Sequence, residues 1–113
     1  MKKFYRVCSE DDKQGLWYKP NGEFIGLIHD QFDFCKNHDL KMDYDPELVG
    51  YLSATDDYDT LMQWFDEEDI RKLQEFGFYI FEYEVTDYWF YDRFKHWVIC
   101  QTTSRPVKKI VLL

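Results

Sequence analysis

"YDTLMQWFDEEDIRKLQEFGFYIFEYEV", residues 58–85, changes its period part-way along. In its first half Tyr58, Leu61, Met62 and Phe65 fall at i, i+3, i+4 and i+7, which is one face of a helix. Asp66 opens a second short helix. Glu67, Glu68 and Asp69 fill its first turn, where the helix dipole favours anions, and Lys72 lies near its end. Ile70 and Leu73 form its apolar stripe. Gly77 fits the position just past a helix end, where the backbone turns left-handed. From Phe78 the period is two. Tyr79, Phe81, Tyr83 and Val85 share one face of a strand, and Phe78, Ile80, Glu82 and Glu84 share the other.

Outward from this stretch the chain reads as strands. Lys3–Cys8 is the first, and a polar connector, residues 9–14, follows it. Gly15–Tyr18 and Glu23–Ile28 make a hairpin around Lys19-Pro20-Asn21-Gly22, because Pro presets the first turn dihedral and Asn-Gly accepts positive φ. Residues 29–50 are irregular and acidic, with a short helix near Phe32–His38. Tyr51-Leu52 is a brief buried strand, and Ser53, Thr55 and Asp56 offer caps for the helix after it. "HWVIC" (96–100) is another strand. "VKKIVLL" (107–113) is the last, after a Ser104-Arg105-Pro106 turn. Strands at both ends around a helical middle predict an α+β fold. The expectation is a single domain over residues 1–113, with a largely antiparallel sheet and two short helices in the middle of the chain.

A chain of 113 residues can bury about two-thirds of its unfolded surface, enough for one core. Hydrophobic residues are 45% and aromatic residues 20% of the chain, which excludes a disordered composition. Ten Phe, nine Tyr and four Trp exceed what a small core takes up, so some rings are expected to line a groove or a partner surface.

The net charge of −8 is unevenly placed. Residues 39–69 carry 11 acids (Asp39, Asp43, Asp45, Glu47, Asp56, Asp57, Asp59, Asp66, Glu67, Glu68 and Asp69) against one base, Lys41. After Asp92 there are only bases: Arg93, Lys95, Arg105, Lys108 and Lys109. A negative field repels phosphate backbones, so direct nucleic-acid binding is not expected. The acidic band reads either as a solvated face or as a surface that meets a basic protein groove. The start, Met-Lys-Lys-Phe-Tyr-Arg, does not read as a signal peptide, and no stretch approaches the ~20 apolar residues of a membrane span. Cys8, Cys35 and Cys100 are odd in number and lack paired spacing, so a cytoplasmic protein with free, mostly buried thiols is expected.

Few motifs carry chemistry. His29, Cys35 and His38 include a Cys-x-x-His half-site, but a structural zinc needs four ligands, and no metal is expected. Asp43, Asp45 and Glu47 alternate like the start of a calcium loop. Leu48 and Ala54 then stand where that loop requires Gly and Glu. There is no Gly-x-Ser-x-Gly elbow and no phosphate-cradling glycine loop.

One ordered series remains: Arg6 on the first strand, Ser53-Ala54-Thr55 after a short strand, and Glu82-Tyr83-Glu84 on a later strand. It resembles the Arg / Ser-Thr-Ser / Glu-x-Glu series of the ADP-ribosyltransferase superfamily, with Ser-Ala-Thr in place of Ser-Thr-Ser. The resemblance implies a domain binding NAD or a related nucleotide, with or without catalysis. Arg6 would hold the phosphates, and Ser53 and Thr55 would support the nicotinamide end. Glu84, or Glu82, would be the carboxylate facing the positive charge left on the ribose as nicotinamide departs. It requires Arg6, Ser53 and Glu84 to converge in one cleft. A second reading stands beside it: a small acidic inhibitor of the kind a bacteriophage or mobile element uses, occupying a basic groove of a host defence protein. That reading needs Asp56, Asp57 and Asp59 to share one face with exposed rings such as Tyr58.

Overall fold

The structure is a computed structural model and describes residues 1–11, 13, 15, 50–92 and 96–113. The fold is α+β, and the described residues form antiparallel sheets and two short helices. Strands β1 (Lys2–Ser9) and β2 (Tyr51–Ala54) precede helices α1 (Tyr58–Trp64) and α2 (Glu67–Glu75). Strands β3 (Phe78–Val85), β4 (Tyr88–Tyr91), β5 (His96–Cys100) and β6 (Arg105–Ile110) follow. The described strands form two sheets, ordered β1-β3-β6 and β2-β5-β4. A bridge joins them where Tyr5 N–H donates to Thr55 O at 2.7 Å and Thr55 N–H donates to Tyr5 O at 3.0 Å.

The period-two pattern of β3 decides how the layers stack. β3 is central in its sheet, paired along both edges, and each of its faces carries its own core. Ile80 and Phe78 join Val7 of β1 and meet Leu61, Phe65, Ile70 and Leu73 of the helical segment. On the opposite face Phe81, Tyr83 and Val85 join Phe4 and Cys8 and meet Ala54 and Ile99 of the second sheet. The helices therefore cover one side of the β1-β3-β6 sheet and the β2-β5-β4 sheet covers the other. Phe4, Ile70, Leu73, Ile80, Val85, Val98 and Ile99 have no exposed surface. Burying a side chain of this size stabilises by about 1.5–3 kcal/mol.

The helix ends follow local chemistry. Asp66 Oδ1 accepts from Asp69 N–H at 2.8 Å and caps α2, with Glu67, Glu68 and Asp69 in the first turn as expected. Gly77 ends α2 at φ 87°, a left-handed conformation that costs glycine nothing. The cap of α1 differs from expectation. Asp57, not Ser53, Thr55 or Asp56, accepts from Asp59 N–H at 3.1 Å. Ser53 lies within β2 and Thr55 is taken by the bridge to Tyr5, so Asp57 is the first acid free to turn back onto the helix.

Two strands also differ. Tyr88–Tyr91 was not anticipated as a strand, and it pairs with β5 from Tyr88↔Ile99 to Tyr91↔His96. Arg105 and Pro106 begin β6 rather than turning before it; the turn is at 101–103. Pro106 is accommodated because β6 lies at the side of its sheet and its register to β3 shifts between Glu82 and Tyr83. The anticipated hairpin of residues 15–28, the helix near 32–38, the His29/Cys35/His38 group and the acids at 39–47 lie outside the described residues, Gly15 apart. Cys8 is buried and Cys100 half-buried, both as free thiols.

Candidate functional site

Arg6 is on β1, opposite Phe81 of β3. Cross-strand partners point to the same face, so Arg6 enters the layer between the two sheets with Phe4, Cys8, Phe81 and Tyr83. It is 5% exposed, and its Nε and Nη1 have no hydrogen-bond partner. Tyr83 is a close neighbour: burial holds its phenol well above the ordinary range, and the Arg6 guanidinium pulls the other way. The Tyr83 hydroxyl lies 3.7 Å from Cys8 Sγ.

Glu82 and Glu84 stand opposite Tyr5 and Lys3, one step out of phase with Arg6. They therefore point to the helix side of the sheet, and both have partners. Tyr5 donates its hydroxyl to Glu82 Oε1 at 3.2 Å, and Lys3 Nζ lies 3.7 Å from Glu82 Oε2. Burial and the Glu82 carboxylate together raise the Tyr5 phenol above its ordinary value. Arg105 Nη2 donates to Glu84 Oε1 at 3.1 Å. Ser53 stands opposite Val98, which packs with Tyr91 and Tyr51 on the side of the second sheet away from Arg6. Thr55 is buried. Its hydroxyl accepts from Asp57 N–H at 3.3 Å, next to the cap of α1. Arg6, Ser53 and the two glutamates thus occupy three different surfaces and do not converge in one cleft.

The second set of residues is more coherent. Asp56, Asp57 and Asp59 are exposed at the start of α1, and Asp66, Glu67 and Glu68 are exposed at the start of α2. Tyr58 is not exposed with them. It is half-buried, with its ring edge-on to Tyr5 at 5.7 Å, and it packs on the helix-side core.

A run of exposed rings lies instead on β4, where Tyr88, Trp89 and Phe90 keep 37%, 38% and 44% of their surface. Lys2 joins them to the acids. Its Nζ is 3.0 Å from Asp56 Oδ2 and lies over the rings of Trp97 at 4.9 Å and Tyr88 at 5.7 Å. Phe90 continues the patch, edge-on to Trp97 at 5.5 Å. One surface therefore runs from the α1 acids through Asp56 and Lys2 to Tyr88, Trp97 and Phe90. The sequence signal for it was Tyr88-Trp89-Phe90-Tyr91 between Asp87 and Asp92, too many rings in a row to be buried on one face of a strand.

Residues 1–110 match the model of a family described as Bacteriophage T4 Y00F protein. The chain belongs to that family. Nothing among curated proteins or solved structures matches it. Among the described residues, no helix is long and apolar enough to cross a membrane, and no group of three or more His, Cys, Asp or Glu could hold a metal ion.

Proposed function

We propose that this phage-family protein acts by binding, as a small acidic inhibitor that occupies a basic groove of a host protein, a defence enzyme being the fitting kind of target. The observation that supports this reading is the continuous surface from the α1 acids through Lys2 to the rings of β4. Acids steer a basic partner into contact and raise the association rate. Exposed aromatic side chains beside them supply the apolar anchors that carry most interface energy. Within the acidic 39–69 band, the contacts fall to Asp56, Asp57 and Asp59. Tyr88 and Phe90 take the anchoring role for which Tyr58 was the first candidate.

An NAD-dependent transferase would have to work with its arginine and its glutamates on opposite sides of one sheet, so catalysis is not part of this reading.

The test compares the wild-type chain with two variants that spare the helix caps, Asp59→Lys/Glu68→Lys and Tyr88→Ser/Phe90→Ser. Immobilised protein captures host proteins, and association is then measured with the purified partner. The expected partner is basic. The charge variant slows association about tenfold or more at low salt, and the difference shrinks as salt rises. The aromatic variant leaves association nearly unchanged and speeds dissociation. If both variants bind the partner with wild-type rates, the surface is not an interface and the reading fails.

A further inference from the structure

Among the described residues, Arg6 is a charge without a counter-charge. Arginine keeps its proton under all ordinary conditions, yet this side chain is 95% buried, and neither Nε nor Nη1 meets an acceptor. An isolated buried ion is expensive, and a fold tolerates one when something else completes it. Tyr83 does not complete it, because burial keeps that phenol protonated and neutral.

The chain beyond β1 adds a second cation to the same place. Lys13 closes a turn, its N–H donating to Ser9 O at 2.9 Å, and it has φ 61°, the left-handed region that non-glycine residues rarely occupy. That turn sets Lys13 Nζ 4.8 Å from the centre of the Phe81 ring, and Phe81 is the cross-strand partner of Arg6. Two cations thus flank one aromatic side chain on one face of the sheet. Lys13 Nζ also donates to the carbonyl oxygen of Glu10, which fixes its position without cancelling its charge. Gly15 then brings backbone close against the guanidinium, since a Cβ at that position would stand 3.1 Å from Arg6 Nη2. Any other residue there would press its Cβ against the guanidinium.

We propose that Arg6 and Lys13 form an oxyanion site between the sheet and residues Lys13 and Gly15, which takes a phosphate group, either free or carried by a small molecule. The charge of the pair matches a phosphate dianion better than a single carboxylate. The orphaned guanidinium hydrogens supply charge-assisted hydrogen bonds, the strong kind, and the neutral Tyr83 hydroxyl is an additional donor nearby. The site has no carboxylate facing it from β3, so it binds without the transferase chemistry, and it is separate from the α1–β4 surface.

The test is thermal unfolding at constant ionic strength, with chloride exchanged in turn for inorganic phosphate, ADP and NAD. Wild-type, Arg6→Met, Arg6→Lys, Lys13→Met and, as a surface-charge control, Lys108→Met are compared. A ligand at about a hundredfold excess over its Kd raises the wild-type midpoint by roughly 5–10 °C. The rise saturates, is absent in Arg6→Met, is reduced in Arg6→Lys and Lys13→Met, and is intact in Lys108→Met. A response to inorganic phosphate identifies the free ion as sufficient; a response only to ADP or NAD identifies a phosphate ester. Should Arg6→Met not fold, Arg6→Lys and Lys13→Met carry the comparison. A wild-type midpoint no higher in any of the three than in chloride overturns the proposal, and so does an Arg6→Met variant that responds like wild type.

Discussion

The two sides of the β1-β3-β6 sheet solve the same problem differently. On the helix side, the polar residues of β1 and β3 keep part of their surface and are paired: Tyr5 and Lys3 with Glu82, and Arg105 with Glu84. On the second-sheet side the polar residues lie in the middle of the layer, where Arg6, Cys8 and Tyr83 are surrounded by Phe4, Phe81, Val85 and Ile99. The first arrangement is what a stable small domain needs. The second keeps a charge where apolar packing would be simpler, and a binding site is a reason to keep it. The sharpest check that both sides are real cores is one truncation in each. Ile80→Ala, on the helix side, is expected to cost about 2–5 kcal/mol, and Phe4→Ala, on the other, about 3–5 kcal/mol, both read by chemical denaturation. A Phe4→Ala cost below about 1 kcal/mol would mean that the sheet-to-sheet layer is loosely packed and that only the helix side holds the fold together.

The sequence carried the helix side well. The step from a 3.6 period to a 2 period at Gly77 placed α1, α2 and β3, because spacing and caps are local properties. Phe78–Val85 was read with its bounds and both of its faces. Which face Arg6 shares was not legible, since that depends on register. A one-residue step puts Arg6 opposite Phe81 instead of Glu82, and nothing near Arg6 in the chain reports it. The order Arg, Ser-x-Thr, Glu-x-Glu is a one-dimensional pattern, and the fold distributes it over three surfaces. β4 was hidden for a related reason. Four aromatic residues in a row have no alternation to read, and only pairing with β5 makes them a strand with Tyr91 buried and Tyr88, Trp89 and Phe90 exposed.

Arg6 itself gives the next largest expected effect, and its sign separates the two sides. In chloride buffer free of phosphate, Arg6→Met removes a buried charge that no described residue compensates and fills the same space with apolar atoms. Replacing buried ionic groups in this way is often neutral or stabilising by about 1–4 kcal/mol. The variant is therefore expected to match or exceed the wild type in denaturant midpoint, and to lose that advantage once a saturating phosphate ligand stabilises the wild type alone. A strong loss of stability in phosphate-free buffer would place Arg6 among structural residues.

The smallest effect belongs to the helix-side pairs. Arg105 keeps 71% of its side-chain surface and Glu84 27%, so their attraction works largely through water and is screened by salt. Arg105→Ala is expected to cost less than about 1 kcal/mol. Half-molar salt should shrink that difference between variant and wild type, because it weakens only the pair that the variant lacks. The same salt should leave the cost of Ile80→Ala unchanged, since burial does not depend on screening. If Arg105→Ala instead cost as much as the core truncation, the Glu84 carboxylate would be acting as a structural anchor for β6. The paired charges of the helix side would then matter to the fold as much as the apolar layer beneath them.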